Sequence, residues 1–310
     1  MEWGVVEYRN FLERLIISAG ILSLQFRKDL GNLDVSSKNG TVRDLVSEAD
    51  ESIESFIRRQ IEQHFPEHKV IGEELGASRP GPKDFCWVVD PIDGTVNFVK
   101  GFVYYSVSIA LQQNGQTLCG AVYGPAMGQL YIAERGAGAF GYRVQLPETV
   151  LQADSLDLQN LSDDYSLEGK QRLKVRPLEQ LSEAVLVTGF ACVRAGIQPN
   201  NYLYLGYVLP RVSDVRRLGS AALDISAVAA GVFDGFWEIG LSLYDLAAAC
   251  LILEEAGGHY SDLYGNMEDY PCSVLAAGPG LHGRLVDLLA EVDKPYNGFR
   301  SLLQQAKNAE

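Results

Sequence analysis

The sequence predicts an α/β fold, and three observations carry that expectation. Two N-terminal segments hold apolar residues at helical spacing, and a middle block alternates apolar and polar residues in short runs split by glycine turns. The second half then interleaves apolar strands with compact, alanine-rich helices. With 310 residues the chain is long enough for two domains, read here as 1–150 and 151–310 with an insertion near 147–177. Apolar residues at 47% and charged residues at 21% exclude disorder along the whole chain.

In order, the first helix is expected from about Glu7 to Lys28, with Phe11, Leu15, Ala19 and Leu22 on one face. A polar stretch from Gly31 to Asp44 fits a loop or short hairpin. The second helix runs from about Leu45 to Phe65. Ala49, Ile53, Phe56, Ile57 and Ile61 form its apolar stripe, while Glu48, Glu51, Glu54, Arg58 and Arg59 can face water. Lys69–Gly72 reads as a short strand, and Phe85–Val89 as a buried strand stopped by Asp90-Pro91. Tyr105–Leu111, Cys119–Tyr123 and Gln129–Ala133, separated by Asn114-Gly115 and Gly124-Pro125, form an antiparallel meander. Gly136, Gly138 and Gly141 read as punctuation, and 147–177 as an excursion at the domain boundary.

The second half restarts with a strand at Ala184–Thr188, a helix or loop over Asn200–Val208 and a strand-like piece at Val212–Leu218. A helix capped by Ser220 ends at Gly231, a strand follows at Phe233–Glu238, and a second helix runs from near Asp245 to Ala256. A last helix spans Leu281–Glu291, with a fraying tail.

A formal charge of −14, from 40 acidic and 26 basic residues, argues against binding a nucleic-acid polymer. It leaves room for a small phosphorylated substrate, with bound cations supplying local positive charge. Cys86, Cys119, Cys192, Cys250 and Cys272 are too scattered for a disulfide framework or a zinc site. No signal-peptide pattern stands at Met1–Gly4, and no run reaches the roughly 18 apolar residues of a membrane span. The expected setting is a reducing cytoplasm, with no membrane partner.

The clearest local anomaly is Asp90-Pro91-Ile92-Asp93-Gly94-Thr95. A buried strand delivers two carboxylates into a turn, where they repel unless protonated, hydrogen-bonded or bridged by a cation. All-oxygen donors favour a hard ion such as magnesium. An Asx-stabilised surface turn fits the same spacing. Thr95 can orient water or help to hold phosphate. Asp245, taken alone, reads as a helix N-cap.

Three blocks together resemble the inositol monophosphatase family of magnesium-dependent, lithium-sensitive sugar phosphatases. They are Gly72-Glu73-Glu74, then Trp87 through Phe98, and a C-terminal block. The last comprises Val215–Ala222, Phe236-Trp237-Glu238, Tyr244-Asp245 and Glu254–Gly258. The resemblance spans about residues 7–290. It implies a layered αβαβα sandwich with a mostly antiparallel N-terminal sheet and a second, smaller sheet.

The resemblance also implies roles. Glu73, Asp90, Asp93 and Asp245, with the carbonyl of Ile92, would hold two or three Mg2+ ions. Glu73 and Thr95 would position the attacking water, and Asp50 would support Thr95. Gly94 and Thr95 would hold phosphate through their N–H groups. Gly219, Ser220 and Ala221 would border the substrate pocket, where Glu238 would accept a ring hydroxyl. The implied activity is metal-assisted hydrolysis of a phosphate monoester, myo-inositol monophosphate first, in a homodimer. Fructose-1,6-bisphosphate, histidinol phosphate and 3′-phosphoadenosine 5′-phosphate are alternatives, as is a non-catalytic metal-binding regulatory or scaffold protein.

The chain departs from the pattern in three places. Leu243-Tyr244-Asp245 replaces Pro-Trp-Asp, 147–177 is longer than in a minimal member, and Lys38 is displaced by one position from the usual lysine.

Overall fold

The computed structural model describes residues 4–28, 30, 35–37, 45–77, 81, 83–152, 165–194, 196, 200–266 and 273–293. The first half comprises α1 (Val5–Arg27), β1 (Val35–Ser37), β2 (Leu45–Ser47), α2 (Glu48–His64), β3 (Lys69–Gly72) and β4 (Gly76–Ala77). It continues with β5 (Phe85–Asp93), α3 (Thr95–Val99), β6 (Ser106–Gln113), β7 (Gln116–Gly124), β8 (Gln129–Glu134) and β9 (Gly138–Gln145). After α4 (Glu148–Gln152) and β10 (Ser166–Arg172) come β11 (Val185–Thr188), α5 (Ala191–Arg194), α6 (Asn201–Val208) and β12 (Asp214–Arg216). The last elements are α7 (Ala221–Ala229), β13 (Gly235–Ile239), α8 (Leu243–Glu255), β14 (His259–Ser261), β15 (Ser273–Ala277) and α9 (Pro279–Asp293).

Period-two alternation in buried strands sorts these elements into five layers. Trp87 and Val89 of β5 point to the core under α1 and α2, whereas Val88 joins α7 and α8 on the other face. In the second sheet Phe236 faces α7 and α8, and its neighbours Trp237 and Ile239 face α6 and α9. The order is thus helices, eight-stranded sheet, helices, five-stranded sheet, helices: the αβαβα sandwich. The larger sheet runs β10-β9-β8-β7-β6-β5-β3-β4 and is antiparallel except where β3 pairs with β5. The smaller runs β12-β11-β13-β15-β14, with its first two pairings parallel.

Several local expectations change. Pro91 does not stop β5, which continues to Asp93. Asp90 pairs with Ser108 and Asp93 with Ser106, so one extra residue bulges out between them. Residues three apart on a regular strand face opposite sides, and the bulge re-aims them while accommodating the proline without a lost ladder bond. Of the three glycines read as punctuation, Gly136 lies in the turn between β8 and β9, whereas Gly138 and Gly141 belong to the strand β9. Within 147–177 the structure places α4 and the edge strand β10, whose largely exposed, polar residues give no alternation to read. Glu54 does not face water but is fully buried.

Of the stretch 31–44 only β1 is described, and it pairs antiparallel with β2; the rest lies outside the described residues. Lys38, Cys272 and the tail beyond residue 293 lie outside the described residues. Cys86, Cys119, Cys192 and Cys250 are buried and free. Among the described residues no helix is long and apolar enough to cross a membrane.

Beneath α1, His68 stacks between Phe65 and Phe85, and its Nδ1 accepts the indole N–H of Trp87 at 3.1 Å. That bond requires a neutral ring, and burial holds His68 down to about 4. The unfolded chain takes up this proton near 6.5, so the contribution is complete above that pH and lost as pH falls through about 4. The stability advantage of the wild type over His68→Leu should therefore shrink between pH 7 and 4, as measured by urea unfolding.

Candidate active site

The site forms where β5 leaves the sheet and meets the N-terminal ends of α7 and α8. Oxygens of Asp90, Asp93 and Asp245 all lie within 4.8 Å of one another. Asp90 and Asp93 are 1% and 7% exposed, which excludes a surface turn, although Asp90 does accept the Ile92 N–H at 3.0 Å in Asx fashion.

Asp93 is the best anchored of the three. Its Oδ2 accepts the Ser220 hydroxyl at 2.6 Å and the Ala222 N–H at 2.8 Å, while Oδ1 accepts the Ala221 N–H at 3.2 Å. Ser220 also caps α7, accepting the Leu223 N–H. Ser220 and Ala221, expected with Gly219 to border the substrate, thus join Ala222 in holding a cluster carboxylate at a helix start. Asp245 both joins the cluster and caps its own helix, accepting the Ser242 N–H at 2.6 Å.

Burial pushes the Asp90 carboxyl well above the usual range, reinforced by the charges of Glu73, Asp93, Asp245 and Asp50. Asp245 is raised for the same reason, burial first, then Asp93 and Glu73, with the Ser242 N–H opposing. Asp93 is pushed up by burial only to about 6, because the hydrogen bonds from Ser220, Ala222 and Ala221 offset part of that cost. Three carboxylates this close, two buried and one half-buried, cannot all be charged without a counter-charge. An all-oxygen, anionic donor set fits a hard divalent cation such as magnesium and does not suit zinc.

Glu73 follows β3, beside β5, and its N–H donates to the Val89 carbonyl at 3.3 Å. Its carboxylate lies outside the 4.8 Å group yet close enough to raise Asp90. Thr95 begins α3, its hydroxyl 3.1 Å from Asp50 Oδ1 and 3.2 Å from the Ile92 carbonyl. Gly94 takes φ +95°, and its Cα faces the Gly219 carbonyl. Asn97 crosses the same seam, donating to the carbonyls of Tyr104 at 2.6 Å and Leu218 at 2.8 Å.

The family model for inositol monophosphatases matches residues 6–294. The chain belongs to the inositol monophosphatase family. It is 38% identical over 267 residues to the inositol-1-monophosphatase of Mesorhizobium japonicum, covering 86% of this chain and 89% of that one. To the Nus factor SuhB of Pasteurella multocida it is 36% identical over 232 residues, 75% and 77% of the two chains. Its fold superposes on the extragenic suppressor protein suhB of Bartonella henselae with a TM-score of 0.75 at 31% identity, covering 90% and 97%. As an inositol monophosphatase family member it has the fold and acidic cluster of magnesium-dependent phosphatases acting on small phosphate monoesters.

Glu238 of β13 is 5% exposed and accepts the Ala191 N–H at 3.1 Å. Its charge reaches both Asp245 and Asp224. Three contributors escaped the sequence reading. Ser106 reaches Asp93 at 3.4 Å, and the Tyr104 hydroxyl donates to the buried Asp224 at 2.9 Å. Glu54 lies under the turn that carries Glu73, accepting the Glu74 N–H at 2.8 Å. Only the polar period along β6 signalled any of them, at Ser106.

Proposed function

We propose that this chain hydrolyses a cyclitol phosphate monoester, myo-inositol monophosphate before other sugar phosphates, by direct attack of water. The observation that carries this reading is the close Asp90–Asp93–Asp245 cluster with the Thr95–Asp50 pair beside it. The name of the Mesorhizobium japonicum relative supports the substrate.

In this reading Glu73, Asp90, Asp93, Asp245 and the Ile92 carbonyl hold two or three Mg2+ ions. Bound magnesium supplies Lewis acidity, lowering the pKa of water and offsetting charge on the phosphoryl and leaving oxygens. Thr95 commits its hydroxyl proton to Asp50, so its free lone pairs orient the attacking water toward phosphorus. Glu73 takes that water's proton. The N–H groups of Gly94 and Thr95 hold non-bridging oxygens. Glu238 accepts a ring hydroxyl, and the wall formed by Gly219, Ser220 and Ala221 orients the ring. A cytoplasmic homodimer belongs to the same reading.

The test is phosphate release, with and without Mg2+, from inositol-1-phosphate, fructose-1,6-bisphosphate, histidinol phosphate and 3′-phosphoadenosine 5′-phosphate. Strict Mg2+ dependence and the highest kcat/KM on inositol-1-phosphate are expected. Glu238→Gln should lower that kcat/KM by about tenfold, the loss of one buried charge-assisted hydrogen bond. It should leave p-nitrophenyl phosphate, which has no ring hydroxyl, nearly unaffected. An equal loss on both substrates would remove Glu238 from hydroxyl recognition.

A further inference from the structure

Two side chains of α2, which none of the steps above employs, grip the turn that carries Glu73. Glu54 is 0% exposed, and its carboxylate accepts the N–H of Glu74 at 2.8 Å and of Leu75 at 3.3 Å. One helical turn further on, Arg58 donates Nε to Glu54 Oε1 at 2.7 Å, and its Nη2 forms an ion pair with the same oxygen at 2.7 Å. The guanidinium also donates to the carbonyls of Val70 at 3.4 Å and of Gly76. Val70 lies on the strand entering the turn and Gly76 on the strand leaving it. The pair therefore holds the turn at its tip and at both strands. Gly72 completes the fit, since a Cβ there would lie 2.0 Å from Glu54 Oε1.

We propose that the Glu54–Arg58 pair is a positioning device for Glu73 and thereby sets the affinity of the acidic cluster for Mg2+. The proposal rests on the phosphatase reading above. The two N–H groups held by Glu54 belong to the residues directly after Glu73, so the carboxylate fixes the backbone from which Glu73 projects. On the other side, the Glu73 N–H is tied to Val89, the residue before Asp90. Glu73 is thus fixed relative to Asp90 by bonds on both sides. A buried ion pair adds little stability over an apolar substitute of the same shape. The directionality of its bonds supplies a defined geometry, which a multi-dentate cation site requires.

The experiment compares Glu54→Gln with wild type by Mg2+ calorimetry on substrate-free protein, by Mg2+ activation of phosphate release, and by melting in chelator. The Mg2+ concentration for half-saturation should rise by about tenfold in both titrations. KM for the ester at saturating Mg2+ should change by less than about twofold, and the protein should stay folded in chelator with a lower melting temperature, because Arg58 loses its charged partner. In a Glu73→Gln background, adding Glu54→Gln should cost no further Mg2+ affinity, because Glu54 acts through Glu73. An additive loss in the double variant, or unchanged Mg2+ affinity in a folded Glu54→Gln, overturns the proposal. If Glu54→Gln does not fold, Arg58→Lys is read the same way, with a rise of about threefold expected because the charge stays and the fork is lost. A wild type that binds no Mg2+ overturns the phosphatase reading instead, and that measurement precedes any variant.

Discussion

Asp90→Asn is expected to lower kcat by about a thousandfold or more while making the metal-free protein more stable. The substitution is nearly isosteric, and the amide oxygen can still accept the Ile92 N–H that Asp90 Oδ1 takes at 3.0 Å. The negative charge is what disappears. Loss of one anionic oxygen from a cluster whose members lie within 4.8 Å weakens cation binding and misplaces what the cation holds. About 4 kcal/mol of lost transition-state stabilisation corresponds to about a thousandfold. In chelator the sign reverses, because burial and neighbouring acids already hold the Asp90 carboxyl well above its usual range. A raised folded-state pKa means the carboxyl contributes fully below its unfolded value of 3.8 and loses that contribution as pH rises through the folded value. The stability gain of Asp90→Asn should therefore be near zero at pH 4 and grow as pH rises above it. Steady-state kinetics and thermal unfolding, with Mg2+ and with chelator, separate the two effects. A variant no more stable than wild type in chelator at pH 8 would mean that the cluster carries no uncompensated charge.

The same residues show what a sequence can and cannot display. Asp90, Asp93 and Asp245 were legible as carboxylates in unusual places, and the family blocks joined them across the chain. The bulge that turns Asp90 and Asp93 together was not legible, because Asp90-Pro91 reads as a strand end when strand propensity alone is weighed. Asp245 read as a helix N-cap, but that position belongs to Ser242; Asp245 is the third residue of α8, closing a capping box on the Ser242 N–H, and its place in the cluster is revealed only by the meeting of α8 with β5. Glu54 was misplaced for a related reason. A Glu–Arg pair at i,i+4 on a helix is the usual signature of a wet face. Here the β3–β4 turn covers it, and no local pattern on α2 records what folds over it. β10 stayed hidden because an edge strand with one exposed polar face has no apolar period to find. The meander of β6 to β8 and the alanine-rich helices α7 and α8, in contrast, follow from patterns long enough to read, whereas the five-layer order was implied only by the family resemblance.

Gly94→Ala is expected to cut kcat by about a hundredfold while leaving Glu73, Asp90, Asp93 and Asp245 chemically intact. Gly94 adopts φ +95°, where an L-residue is strained by about 1–2 kcal/mol. The added Cβ would also lie 2.8 Å from the Gly219 carbonyl oxygen, and that atom is backbone, with no rotamer to escape into. Relief requires residues 93–95 and 218–220 to move apart. The seam resists at several points. Asp93 is bound to Ser220 at 2.6 Å and to Ala222 at 2.8 Å, Asn97 to the Leu218 carbonyl at 2.8 Å, and Thr95 to Asp50 at 3.1 Å. Some of these bonds lengthen, and Asp93 and Thr95 shift relative to each other. A displacement of about 1 Å in groups that align a nucleophile costs about a hundredfold in rate. Because the carboxylates remain, calorimetry should still detect Mg2+ binding to Gly94→Ala, unlike Asp90→Asn, and the unfolding free energy should fall by about 2 kcal/mol. Retained binding with lost turnover would locate the function of Gly94 in alignment across the seam. Full turnover together with the expected destabilisation would show that residues 93–95 can shift without disturbing the chemistry, and would remove Gly94 from the catalytic geometry.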